Sequence, residues 1–246
     1  RYVDPENIMI PSCKITELYD YVSYTNISGL DLNSETPNQP VDMKSIAGYT
    51  NNVYCSPQNL YVVSGYDESE ITRFSVSGGA VAPQASGKVN GYVNDQFSMS
   101  EYNGFFRIAV TENVWEESTV FAEEDSSIAT NALVTQKNSL YVLDMDMKVV
   151  GSISDFGINE QIKSVNFSGD TAYAVTFRQT DPLYAIDLSN PYSPVMLDEL
   201  KISGYSSYMQ KWGDGLLLGF GAEADEDTGM AVSYTHLRAH ETCADL

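Results

Sequence analysis

Between Val165 and Tyr205 apolar and polar positions alternate in four short runs separated by turn residues. VNFSG meets Gly169-Asp170, TAYAVTFR follows, and Thr180-Asp181-Pro182 interrupts before LYAIDLS. Asn190-Pro191 then leads into PVMLDELKI. A period of two in runs rich in Val, Ile, Tyr and Phe predicts β-strands, and the Asn, Asp, Gly and Pro between them predict tight turns. Four antiparallel strands in about forty residues form one compact sheet unit.

That unit recurs. Second strands begin at Leu60, Phe105, Ala172 and Leu216, at intervals of 45, 67 and 44. Third strands end in apolar-polar-apolar steps centred on Asp31, Ser75, Asp144 and Asp187, at intervals of 44, 69 and 43. Two separate landmarks thus share one short, long, short rhythm. Each second strand follows a turn signal: Pro57-Gln58-Asn59, Tyr102-Asn103-Gly104, Gly169-Asp170 and Gly213-Asp214-Gly215. The Asp and Asn residues at these breaks are read as turn formers rather than catalysts, because their side chains bond nearby backbone and tolerate positive φ.

The predicted fold is all-β: a β-propeller of four-stranded antiparallel blades, present as about four blades' worth of strands with both ends incomplete. An open arc leaves two blade faces uncovered, so the chain is expected to be a fragment of a longer protein. Residues 1–17 read as a connection or the remnant of an earlier blade, and residues 18–231 as propeller. Residues 232–246, VSYTHLRAHETCADL, read as a foreign tail resembling translated adapter sequence. The long interval marks an insertion of about two dozen residues, at 112–136, between the second and third strands of one blade. It is expected to form an acidic loop.

The chain has 246 residues, 43% of them hydrophobic, with 34 Asp plus Glu against 13 Lys plus Arg and a formal charge of −21. Such a surface repels nucleic-acid phosphates and anionic membranes, while suiting solubility, cation binding or a basic partner. No apolar run reaches the 18 or so residues of a membrane span, so no membrane insertion is expected. Cys13, Cys55 and Cys243 make no disulfide framework; Cys13 and Cys55 are expected as two isolated buried thiols, with a bridge between neighbouring strands as the alternative.

Both histidines, His236 and His240, lie in the tail beside Cys243, without the paired CxxC of a strong zinc motif. The preceding residues therefore hold no Ser-His-Asp, Cys-His or histidine-metal machinery, and no phosphate-binding glycine loop. No catalytic residue is assigned. Asp67-Glu68-Ser69-Glu70 and Glu223-Ala224-Asp225-Glu226-Asp227 lack EF-hand spacing, so no cofactor is expected and calcium is the single candidate. Two arginines, Arg107 and Arg178, stand inside apolar second strands at what look like similar places. Each is read as making an inter-blade ion pair or a hydrogen bond to a neighbouring loop, or as rimming a channel for an anionic ligand. Glu116, Glu117, Glu123, Glu124 and Asp125 of the insertion complete the candidate ligand-binding set.

At NLYVVSGY, DQFSMSEYNGFFRIAVT, SLYVLDMDMKVVG and YAVTFRQTDPLYAIDLSNPYSPVMLDELKISGY the chain resembles the secreted bacterial and archaeal proteins with a C-terminal β-propeller domain, distantly related to WD-repeat propellers. The resemblance covers roughly Leu18 to Glu223. It implies an extracellular or cell-surface location and carries no established activity. The expected function is a non-enzymatic binding or scaffold module for a protein or carbohydrate partner at the cell envelope. The alternative is a hydrolase or lyase acting on polysaccharide or peptide through channel carboxylates, with or without calcium.

Overall fold

The computed structural model describes residues 8–9, 23–120, 129–177, 181–202, 205–213, 216–224 and 231–241. Three four-stranded antiparallel sheets stand in chain order. The first of these has β4 (Asn52–Cys55), β5 (Asn59–Ser64), β6 (Glu68–Ser77) and β7 (Ala80–Asn90). The next has β8 (Met99–Tyr102), β9 (Phe105–Val120), β10 (Ala129–Leu143) and β11 (Val149–Phe156). The last has β12 (Gln161–Ser168), β13 (Thr171–Phe177), β14 (Asp181–Asp187) and β15 (Val195–Ile202). A three-stranded sheet flanks them on each side: β1 (Ile8–Met9), β3 (Pro40–Ala47) and β2 (Tyr24–Leu30) before, and β16 (Tyr205–Lys211), β17 (Leu216–Ala224) and β18 (Ala231–Glu241) after. These sheets are numbered first to fifth along the chain.

The landmark aspartates form turns, as the spacing implies. Asp144 Oδ1 accepts backbone N–H bonds from Asp146 and Lys148, Asp187 Oδ1 from Ser189, and Asp31 Oδ1 from Asn33. Each carboxylate closes the turn between third and fourth strands. Asn103 (φ 50°) and Gly104 (φ 77°) make the two-residue turn that joins β8 to β9.

Successive sheets pack through one apolar cluster per interface. Ile46 meets Val62 and Phe74, Tyr61 and Ile71 meet Phe106 and Ile108, Leu140 and Val142 meet Ile162 and Ile186, and Val175 and Leu183 meet Met209 and Leu217. The pleat divides each second strand between its two neighbours. Leu60 and Val62 face back to the first sheet while Tyr61 and Val63 face on to the third. Phe106 and Ile108 likewise face back, and Ala109 faces on. A strand buried on both sides reads as a nearly continuous apolar run, which is why NLYVVS and FFRIAV stand out.

The outer strands come so close that only glycine fits. A Cβ on Gly87 of β7 would lie 2.0 Å from Met147 O, in the β10–β11 turn of the next sheet. At Gly151 of β11 it would lie 2.2 Å from Pro191 O, in the β14–β15 turn. At these two interfaces the same turn of the following sheet therefore seats on the outer strand of the one before.

Two expectations change, and the described part of the tail takes a place in the fold. The insertion is not a loop where it is described: β9 and β10 run on through it as a paired hairpin to Val120↔Ala129. The sequence after residue 231, set apart as foreign, contributes β18, which pairs with β17 from Ala224↔Ala231 to Leu216↔Glu241. Cys55 is exposed rather than buried, because β4 is short and its residue 55 lies at the turn. Cys13 and Cys243 lie outside the described residues.

Candidate functional site

Each four-stranded sheet has a turn end, carrying its first-to-second and third-to-fourth strand turns, and a link end, carrying the second-to-third connection and the crossing to the next sheet. The candidate residues divide between these ends. The arm stands at the link end. Beyond Thr111 and Asn138, β9 and β10 pair only with each other among the described residues, through nine further pairs from Glu112↔Lys137 to Val120↔Ala129. At a strand rise of about 3.3 Å per residue this two-stranded ribbon reaches about 25–30 Å past its sheet. Its base is pinned by buried Asn138, whose Nδ2 donates to Phe156 O, Gly157 O and Glu160 O and whose Oδ1 accepts from Thr111 Oγ1 at 2.7 Å. Glu116 and Glu117 belong to the ribbon, where they pair with Leu133 and Ala132. Glu123, Glu124 and Asp125 lie outside the described residues.

Arg107 lies at the turn end, nine strand positions from Glu116, so these groups do not form one site. Its resemblance to Arg178 also dissolves once register is counted through the pairing. Phe106 pairs with Leu143 and Ala172 with Ile186, each one step before a landmark aspartate. The counterpart of Arg107 in β13 is therefore Tyr173, and in β5, where Leu60 pairs with Phe74, it is Tyr61. Arg178 itself lies outside the described residues, after the end of β13.

All three counterparts face the following sheet. Tyr61 is fully buried, stacks on Phe106 at 4.1 Å, and donates to Glu101 Oε2 at 2.7 Å. Glu101 also accepts from Ser56 Oγ at 2.7 Å and Asn59 Nδ2 at 3.0 Å, and Arg73 ties Asn59 to the Met145 carbonyl. This carboxylate-centred network closes the second interface.

One interface later the pattern breaks. Glu101 pairs with Phe106 across β8–β9, and its counterpart, pairing with Ala172 across β12–β13, is Phe167. Arg107, 4% exposed, thus meets a phenyl ring where Tyr61 meets a carboxylate. Its guanidinium carbon lies 4.8 Å from the Phe167 ring centre and 5.0 Å from that of Tyr102. NH1 donates to Gly169 O at 2.5 Å and NH2 to Ser100 Oγ at 2.7 Å. Its buried Nε–H has no acceptor, and no carboxylate among the described residues lies within ion-pair distance. Burial pushes the guanidinium down to about 10, with Tyr54, Asp170 and Tyr102 acting electrostatically in the opposite sense. It stays charged at neutral pH. Arg107 lines a half-open cleft of about 240 Å³ between the third and fourth sheets, whose rim carries Tyr102, Asn103, Asp170 and Ser189. Phe105 and Pro191 form its apolar side, and Tyr192 packs edge-on against Phe105 at 5.9 Å.

The sequence marked Asn103, Asp170 and Asn190-Pro191 only as turn residues. The aromatic residue next to each break, Tyr102, Phe105 and Tyr192, was the available signal of a cleft, since a tight turn does not itself require one. Among the described residues no group of three or more His, Cys, Asp or Glu is gathered to hold a metal ion. No helix is long and apolar enough to cross a membrane.

Burial also governs the alkaline limit. Tyr61, Tyr92 and Tyr184 hold their protons above the ordinary phenol value because burial disfavours phenolate, Tyr184 to about 12. The unfolded chain releases those protons near pH 10, so between about 10 and 12 the folded state binds more protons and stability falls as pH rises. Arg107, lowered in the fold, acts the other way over the same window. With three tyrosines against one arginine the net effect is a loss. The melting temperature is expected to fall from about pH 9 to about pH 11, with a matching late fraction in the 295 nm phenolate titration. A rise over that interval overturns the assignment.

The sequence matches the family model described as a β-propeller domain over residues 2–239. It is 40% identical over 148 residues to an uncharacterized protein of Methanocaldococcus jannaschii, covering 60% of this chain and 21% of that one. It is 38% identical over 157 residues to an uncharacterized protein of Archaeoglobus fulgidus, covering 64% and 22%. The match thus spans about a fifth of the length of these relatives. A Synechocystis apocarotenoid oxygenase mutant aligns over 90% of this chain and 59% of its own at 10% identity, with a TM-score of 0.41, a likeness too slight to bear on function.

Proposed function

This chain belongs to the β-propeller domain family, and from that premise we propose that it is a non-enzymatic, extracytoplasmic binding module that offers an acidic arm to a protein partner at the cell envelope. The observation that carries this reading is the ribbon itself. Nine strand pairs run on past the last residues that pair with another strand, and Glu112, Glu116 and Glu117 are positions along that ribbon. Beyond Gln136, whose carbonyl accepts from the Asn159 N–H at 2.8 Å, its edges carry no further strand among the described residues and can offer backbone donors and acceptors to an incoming strand, and its acidic sequence favours a basic surface. The overall charge of −21 acts in the same direction through the long-range field.

The test removes residues 114–135 and joins Asn113 to Gln136 through an Asn-Gly turn. Strand pairing of β9 and β10 with other segments ends at Thr111 and Asn138, so the shortened chain is expected to melt within about 3 °C of the parent, about 1 kcal/mol for a domain of this size. Binding to isolated envelope fractions is expected to fall at least tenfold, in a salt-dependent way. Undiminished binding by the shortened chain would remove the arm from the function.

A further inference from the structure

We infer that the cleft at Arg107 is a second site, at the turn end opposite the arm, and that it receives the carboxylate of a sugar acid. This inference does not depend on the arm. It starts from a departure within the repeat. At the equivalent position the second and fourth sheets carry tyrosine, and Tyr61 shows how the fold closes such an interface: a ring stacked on Phe106 and a hydroxyl bonded to Glu101. The third sheet carries Arg107 instead, and the position that supplies Glu101 one interface earlier supplies Phe167. A buried cation deprived of its carboxylate is a departure that packing does not require, since tyrosine serves that purpose elsewhere in the stack.

The chemistry of the cleft defines what completes it. Arg107 spends two of its five N–H donors, on Gly169 O and Ser100 Oγ, and its Nε–H is buried without an acceptor. A carboxylate entering the cleft supplies from outside the kind of partner that Glu101 is to Tyr61 next door, and guanidinium suits it because its fork matches two carboxylate oxygens. A bare small anion does not account for the rest of the lining. Asp170, Asn103 and Ser189 offer acceptors and donors of the kind that bond hydroxyl groups, while Phe105, held edge-on by the exposed Tyr192 beside the cleft, offers aromatic surface for the C–H face of a sugar ring. About 240 Å³, just under the usual range for drug-sized ligands, suits a single saccharide residue or a chain end. Asp170 on the rim disfavours an anion with no hydroxyl to give it.

Tyr192 is 65% exposed and Asp170 is also exposed, so Tyr192→Ala and Asp170→Asn test the cleft without opening the core. The probes are glucuronate and galacturonate, with glucose, galactose and acetate as comparisons, read by saturation-transfer NMR and titration calorimetry on the full chain. A hexuronate is expected to bind at least tenfold more tightly than its parent hexose and than acetate. Each variant is expected to weaken that binding at least fivefold with an unchanged melting temperature. Arg107→Lys, which keeps the charge and loses the fork, is expected to narrow the preference for the acid over the hexose. Equal binding of hexose and hexuronate overturns the role of Arg107. Hexuronate binding indifferent to both surface substitutions, or no binding of any probe at millimolar concentration, overturns the site. Envelope binding through the arm is measured separately and is unaffected by either result.

Discussion

Replacing Gly87 by alanine is expected to lower the melting temperature by about 5–10 °C, corresponding to about 2–3 kcal/mol for an overpacked site in a domain of this size. The added methyl would stand 2.0 Å from Met147 O and 2.8 Å from Met147 Cβ, so a rotamer change offers no relief. The whole β10–β11 turn has to retreat. That turn is fastened on its other side, since Met147 is 3% exposed in the apolar cluster and Arg73 Nε donates to Met145 O at 2.9 Å. Retreat therefore loosens the packing of the second sheet on the third along with the contact itself. Thermal melts of Gly87→Ala and of Gly151→Ala, which meets Pro191 O at 2.2 Å, check the argument at two interfaces. If both variants melt within about 1 °C of the parent, the seating of turns on outer strands is not what holds the sheets in register.

Phe106→Ala is expected to cost about 3–5 kcal/mol, the usual range for emptying a fully buried phenylalanine site. The side chain is 0% exposed, lies parallel to Tyr61 at 4.1 Å and 12°, and touches Tyr54 at 6.1 Å between ring centres. Removing it leaves Tyr61 facing a cavity and disturbs the bond that anchors its hydroxyl to Glu101. Tyr61→Phe is the useful comparison. It keeps the stack and deletes one of the three side-chain hydrogen bonds on Glu101, for an expected loss of about 1–2 kcal/mol. Equilibrium urea unfolding of the two variants reads the difference. A smaller loss for Phe106→Ala than for Tyr61→Phe would show that the polar network, not the aromatic stack, closes this interface.

The candidate site was only half legible. Arg107 stood out because a charged residue interrupted FFRIAV, and that much needed no structure. Its pairing with Arg178 came from counting along each strand from an approximate start. The ladder replaced Arg178 with Tyr173, because register is set by hydrogen-bonded partners across the sheet. Glu116 and Glu117 look like part of an acidic loop in a row of letters and belong to a paired strand. The arm looked like a loop because ENVWEESTV is polar and lacks clean alternation. It forms strands because NALVTQ pairs with it residue for residue, a partnership that neither segment shows alone.

By itself the sequence determined the strands, their turns and the period of their repetition. Alternation at a spacing of two and the backbone preferences of Asp, Asn and Gly act over a few residues, and Asp31, Asp144 and Asp187 close the turns their spacing implies. Only the tertiary structure decided which side of each second strand faces which neighbour. It placed Phe167 rather than a carboxylate against Arg107 and brought the Met147 carbonyl onto Gly87. Those are contacts between sheets, made by residues about 60 positions apart in the chain. A strand buried on both faces carries the same apolar pattern whichever neighbour each face meets, so no local preference encodes the choice.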